Sequence, residues 1–241
     1  MIQIIPLEGL PEIREGDDLA EFVAQAHELE DRDVVVVAQK AVSKAEGRVV
    51  RLDDVEPSAF ARQLAGDDGD PRHLEVILRE SKRILRARQS FVIAETRQGF
   101  ICASAGVDAS NTPGNGTLVL LPKDADASAA RIRDRLRELT GRGVGVIVSD
   151  SFGRPWRQGT IDVAIGVAGI PALLDLRGTS DARGYELRST QIAVADELAS
   201  AAELVMGKAR QVPAAVIRGL QLEGEGSAAD IPIPEDRDLF R

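Results

Sequence analysis

The chain of 241 residues carries a formal net charge of −9 and is 44% hydrophobic but only 3% aromatic. That length suits one large domain or two small ones around an aliphatic core, and the acidic balance argues against nonspecific binding to DNA or RNA. A single cysteine, Cys102, and two histidines exclude an intrachain disulfide and a Cys/His zinc site.

Ile2–Ile5 predicts a first strand closed by Pro6. Gly9-Leu10-Pro11 is a turn, and Asp17-Asp18 opens a helix with Leu19, Phe22, Val23 and Ala26 on its apolar face. Asp33–Ala38 holds four consecutive valines, a buried strand by length and branching, and leads into a polar segment with Gln39, Lys40, Ser43 and Lys44. The Gly-x-x-x-x-Gly-Lys-Ser/Thr spacing of a P-loop is absent there. Pro57–Leu64 and Pro71–Leu85 read as helices opened by proline. His27 and His73 read as solvated histidines.

Phe91–Glu95 and Phe100–Ser104 are short strands around Arg97-Gln-Gly99, a hairpin in which Cys102 is a buried small hydrophobe. The glycine-rich loop that follows carries the oxygen-bearing side chains Asp108, Ser110 and Asn111. Thr117–Leu121 is a strand, and Ser128–Leu139 is a helix whose arginines alternate with acids as a solvated face.

The densest chemistry lies in Gly145–Gly159. A buried strand, Val144–Val148, runs into Ser149-Asp150-Ser151 and then a Gly/Pro-punctuated loop with Arg154, Trp156 and Arg157. A carboxylate and two hydroxyls at a strand end suit a hard divalent cation, and the arginines suit phosphate or carboxylate. Ile161–Val167, Ala172–Leu176 and Ala214–Ile217 are further strands. Between them Ser189–Met206 is a helix with a small inward face of Ile192, Ala195, Ala199 and Ala202, stopped at Gly207. Residues 1–222 read as one domain, followed by an acidic tail, 223–241, that either drapes over the fold or stays mobile.

Several strands are joined by links too short for a parallel crossover. The expected class is therefore α+β, with mixed or antiparallel sheets and flanking helices, neither Rossmann nor P-loop. The first residues lack the pattern of a signal peptide and no apolar run approaches a membrane span, so a soluble, cytoplasmic protein with no membrane partner is expected.

Five pieces in register, Glu8–Pro11, Ser43–Arg48, Ala105–Asn111, Ser149–Arg154 and Val205–Gly207, resemble the coenzyme F420-0:L-glutamate ligase family over nearly the whole chain. The resemblance implies two interlocked lobes, a homodimer, and a ligase that uses GTP to add one or more L-glutamates to F420-0, γ-linked after the first. It implies Mg²⁺ or Mn²⁺ at Asp108, Asp150 and Ser151, with K⁺ a further candidate cation. It also implies nucleotide contacts at Gly9, Leu10, Pro11, Gln39, Lys40, Lys44, Asn111, Gly207 and Lys208. Lys208 stands where the archaeal form carries glutamate; a protonated lysine does not ligate a cation, so it pairs with phosphate if its loop reaches the nucleotide, or else is a solvated charge that suits a helix end. Arg154 and Arg157 are the candidates for the anionic acceptor, and no residue stands out as the base. The residues by themselves leave two alternatives open: a related carboxylate–amine ligase with another substrate, or a noncatalytic nucleotide-binding module.

Overall fold

The computed structural model describes every residue except Asp68, Asn111, Pro113, Phe240 and Arg241. In chain order the elements are β1 (Gln3–Pro6), α1 (Leu19–Ala26), β2 (Val34–Ala38), α2 (Gln39–Ala45), β3 (Val49–Arg51), α3 (Ala59–Ala65) and α4 (Pro71–Glu80). Next come β4 (Ser81–Arg88), β5 (Phe91–Thr96), β6 (Ile101–Ala103), β7 (Thr117–Val119), α5 (Ala125–Thr140) and β8 (Gly145–Arg154). The chain continues through β9 (Arg157–Ala168), β10 (Leu174–Asp175), β11 (Gln191–Ile192), α6 (Val194–Met206) and β12 (Ala214–Arg218). The architecture is α+β, as the element pattern implied.

The main sheet has the order β1-β12-β2-β8-β9. Only β2 and β8 are parallel; every other neighbour in it is antiparallel. Because side chains alternate along a strand, the valine run of β2 serves two cores. Val35 and Val37 meet Leu19 and Val23 of α1 and Ala129 and Leu136 of α5. Val34 and Val36 meet Ala195, Ala199 and Ala202 of α6. These alanines are fully buried in the chain's own core, so the small helix face packs on its own sheet and offers nothing to a partner subunit.

A second lobe is inserted between α2 and α5. Its core joins Leu74 and Ile77 of α4 to Val92, Ala94, Leu118 and Leu120, around the small sheets β4-β5-β6 and β3-β7. The helix expected over Pro71–Leu85 ends at Glu80. Ser81 turns the chain there, its hydroxyl donating to Ile77 O at 2.6 Å, and the following residues pair with β5 instead. Strand pairing overrides a local pattern that fits a helix as well.

Three other expectations are corrected. The polar segment after β2 is a short helix, α2. The expected loop at Arg154–Arg157 is the tip of a long hairpin, in which Pro155 and Trp156 link β8 to β9 and the register slips just beyond them, so that Gly153 faces Thr160. Proline followed by a residue at positive φ, here Trp156 at 56°, is the pattern of a type II turn. The long helix begins at Val194 rather than Ser189, and Ile192 lies in β11.

The tail drapes over the fold. Ser227 Oγ donates to Asp126 Oδ2 at 2.6 Å, and Ala228 is fully buried. At the other end of β2, Asp33 is 1% exposed and receives the Arg218 guanidinium through both oxygens, at 2.9 and 2.7 Å. No helix of the described residues is long and apolar enough to cross a membrane.

Candidate active site

Four segments far apart in sequence meet at one edge of the main sheet, where β2 ends and its parallel neighbour β8 runs on past it toward the hairpin tip. Ala38 stands opposite Ser149 in the register, which sets Gln39 and Lys40 beside Asp150. Ala38 N donates to Pro213 O at 2.8 Å, so the loop from Gly207 to Pro213 lies at this edge. Leu7 N donates to Ala214 O at 3.0 Å, which brings Gly9-Leu10-Pro11 to the same side. Ligand sites in α/β proteins favour such carboxyl-terminal strand ends.

The second lobe supplies Asp108 from across the cleft. Its backbone N–H and C=O both pair with Val119, at 3.0 and 2.9 Å, after a turn in which Ser104, Ala105 and Gly106 all take positive φ. The Lys40 ammonium joins the lobes: Nζ lies 2.8 Å from Asp108 Oδ2 and donates to Ser110 Oγ at 2.6 Å. Burial pushes the Asp108 carboxyl up, but Lys40 and the Ser110 N–H outweigh it and hold the group below its ordinary range.

Asp150 behaves in the opposite way. Burial is the main cause that pushes its carboxyl up to about 7, and the nearby charges of Asp162 and Asp108 add to it. A hydrogen bond from the Ser151 N–H and the charge of Lys40 only partly offset this. The same surroundings push the Cys102 thiol up to about 12, through burial first and the Asp150 charge second. Cys102 is therefore an inert buried thiol.

Asp162 is the residue that sequence reasoning missed. It is 6% exposed and accepts hydroxyl hydrogen bonds from Ser149 at 3.0 Å and Ser151 at 2.7 Å. The hairpin register sets Asp162 opposite Ser151 only because it slips by two residues next to the turn; counted straight from Arg154 opposite Arg157, Thr160 would face Ser151 instead, so no local signal in the sequence picks out Asp162. With its proton given to Asp162, the Ser151 hydroxyl keeps its lone pairs for a cation.

Other expected residues are placed as follows. Gln39 is 2% exposed and turned inward, its Nε2 donating to Ser43 Oγ and Leu120 O while its buried Oε1 has no partner. Lys44 pairs with Glu12 at 2.6 Å, beside the Gly9–Pro11 turn. Lys208 is exposed after the end of α6. Arg154 and Arg157 sit at the hairpin tip, about 13 Å along β8 from Asp150, so the structure does not gather them with the carboxylates. Arg154 Nε is buried without a partner. Asn111 lies outside the described residues. The histidines are not solvated: His27 and His73 are each partly buried with an unpartnered Nε2. Burial lowers the His73 pKa against the pull of Asp70 and Asp108.

The donor set fits a hard divalent cation only in part. Among the described residues no three carboxylate, thiolate or imidazole groups are gathered closely enough to hold a metal. Asp108, Asp150 and the Ser151 hydroxyl offer oxygen ligands, and a cation would offset the burial and the neighbouring carboxylate charges that together raise Asp150. Oxygens from a bound ligand are needed to complete the shell.

Comparison with known proteins gives one consistent result. The family described as F420-0:Gamma-glutamyl ligase matches residues 9–219. A protein of Methanopyrus kandleri named coenzyme F420:L-glutamate ligase is 50% identical over all of this chain and 97% of its own length. Proteins of the same name from Methanothermobacter thermautotrophicus and Methanocaldococcus jannaschii are each 44% identical over all of this chain, covering 99% and 97% of their own lengths.

Proposed function

Since the chain belongs to the F420-0:gamma-glutamyl ligase family, we propose that it joins L-glutamate to the deazaflavin coenzyme F420-0, with GTP as the phosphoryl donor. One observation carries the finer reading. The Lys40–Asp108–Asp150 cluster spans a cleft between two lobes, beside a glycine turn and a second lysine. Such an edge suits the phosphates of a nucleotide better than it suits an amino acid alone.

Amide formation in water is uphill, so the acceptor carboxylate must first be activated. Its oxygen attacks the γ-phosphorus of GTP, giving an acyl phosphate and GDP. The glutamate amine then attacks the acyl carbon, phosphate leaves, and the nitrogen loses a proton. Asp108, Asp150 and Ser151 would hold Mg²⁺ or Mn²⁺, which supplies charge neutralisation at the phosphate oxygens. Lys40 sits between the lobes and is positioned to exchange Asp108 for a phosphate oxygen as the nucleotide enters. Lys44 and the Gly9–Pro11 backbone lie where the outer phosphates would be held. Lys208, on the loop at the same edge, adds positive charge, while Arg154 and Arg157 stand ready for the distal anionic groups of the acceptor. The reaction asks the protein mainly for positioning and electrostatics, and these residues supply both.

Incubation with GTP, Mg²⁺, L-glutamate and glutamate-free coenzyme tests the proposal. A product heavier by one glutamyl residue, formed together with GDP, is expected. Turnover with ATP as well as with GTP would refute the nucleotide assignment, and no glutamylated product with either would refute the substrate assignment. The proposed working unit is a homodimer, for which light scattering should give about twice the chain mass of 25.8 kDa; a mass near that of one chain would refute it.

A further inference from the structure

At the opposite end of β8 lies a cavity of about 330 Å³ that the proposed reaction does not use. Gly145 lines it, five residues before Asp150, so about 17 Å of strand separates it from the carboxylate cluster. Four arginines converge on it from three segments: Arg32 before β2, Arg133 and Arg137 from α5, and Arg142 from the loop into β8. In a chain of net charge −9, that concentration of positive charge runs against the overall balance.

The counter-charges do not use up these arginines. Arg133 meets Asp134 at 2.9 Å and Glu225 at 3.3 Å, and Arg142 meets Asp31 at 3.5 Å. Arg32 and Arg137 pair with no carboxylate among the described residues. The backbone is shaped for the purpose as well. Arg32 takes a positive φ of 72°, and its N–H donates to Gly143 O at 2.7 Å. A side chain at Gly169 would meet Val144 O at 2.9 Å and the Arg133 stem at 3.0 Å, so only glycine keeps this wall open.

The tail shows what the cavity accepts. Glu225 Oε2 takes the Gly169 N–H at 3.0 Å together with the Arg133 guanidinium at 3.3 Å. A carboxylate of the chain itself thus occupies one anion position, and beside it stand two guanidiniums without a salt bridge, of which Arg32 feels the Asp31 charge only at longer range.

The geometry points to a second anion site, distinct from the catalytic cleft, that binds a small oligoanion with two or more phosphate or carboxylate groups. Glu225 acts there as an internal competitor. One anionic group of the ligand displaces the Glu225 carboxylate from Arg133 and Gly169 N, and another bridges Arg32 and Arg137. The site stands whether or not GTP is the phosphoryl donor.

Calorimetric titration of the full chain in EDTA tests this, with inorganic pyrophosphate as one probe and γ-linked triglutamate as the other. Binding of at least one probe is expected, and the tighter one identifies whether the natural ligand brings phosphates or carboxylates. Glu225→Gln should tighten binding at least roughly threefold, and the double variant Arg32→Ala/Arg137→Ala should weaken it at least roughly tenfold, the scale of losing one charge-assisted contact. Both arginines are exposed, and an unchanged melting temperature verifies that the double variant is folded. Lys40→Ala, in the catalytic cleft, should leave unchanged the component of binding that the arginine changes remove. Binding that survives the arginine changes but is lost with Lys40→Ala would overturn the proposal, as would no binding of either probe to wild type and Glu225→Gln at millimolar concentration.

Discussion

Replacing Asp150 with asparagine should make the metal-free protein more stable and the enzyme inactive. The Asp150 carboxyl is raised from an ordinary 3.8 to about 7, chiefly by burial, with Asp162 and Asp108 adding repulsion. The native state therefore holds this proton to higher pH than the unfolded chain does, and stability falls as pH rises from 3.8 through about 7. At 1.36 kcal/mol per unit, the full penalty above that window is about 4 kcal/mol, of which about 2–3 kcal/mol develops between about pH 5 and about pH 8. Asparagine keeps the shape and carries no charge, so it escapes the penalty. Urea denaturation in EDTA measures this directly: the midpoint of Asp150→Asn should rise relative to wild type between those two pH values, at unchanged m-value. Mg²⁺ added at the higher pH should stabilise wild type and leave the variant unmoved, while turnover of the variant falls at least roughly a hundredfold. Parallel wild-type and variant stability curves across the whole range would show that Asp150 carries no penalty for ionising in its buried site, and the reasoning would fail.

Three further outcomes follow from other parts of the molecule. Arg218→Ala strands the buried Asp33 carboxylate, and urea denaturation near neutral pH should register a loss of about 3 kcal/mol or more. Gly166→Ala sets a methyl 2.2 Å from Ala125 O, at the backbone where α5 starts; a loss of about 1–3 kcal/mol is expected in the same assay, and an unchanged midpoint would mean that α5 shifts freely over β9. Lys208→Ala should weaken GTP binding several-fold while leaving the Mg²⁺ dependence of turnover unchanged. Calorimetry that finds equal GTP affinity would reduce Lys208 to a helix-end charge.

The parts of this fold legible in the sequence are those where local chemistry and tertiary structure demand the same thing. The four valines of β2 are buried on both faces, so no alternation was needed to read them. Asp18 caps α1 through the N–H groups of Ala20 and Glu21, a role its position before an apolar stripe announces. The strand at Ser81–Arg88 was illegible because its apolar spacing suits a helix, and only pairing with β5 decides the matter. At the site, Asp108 and Asp150 announce themselves as carboxylates beside hydroxyls that follow apolar runs. Asp162 does not, because it sits inside an apolar strand and gains its meaning from a register partner, Ser151, eleven residues earlier. Arg154 and Arg157 looked close to Asp150 by residue count, but an extended hairpin carries each residue about 3.3 Å further away.

The pairing of the first strand with the last has a consequence for synthesis. Gln3 faces Arg218 across β1 and β12, and β2 lies between β12 and β8. At about 5–20 residues per second, the amino-terminal strands wait on the order of 10–40 s before β12 leaves the ribosome. For most of that interval the valine run of β2, with high β-propensity and no charge of its own, has neither sheet neighbour, and until β12 arrives it has only β8. It is the stretch of the nascent chain most in need of shielding from other chains. The catalytic edge, built from the end of β2, the middle of β8 and the segment that enters β12, cannot exist in any folding intermediate that lacks the last of them.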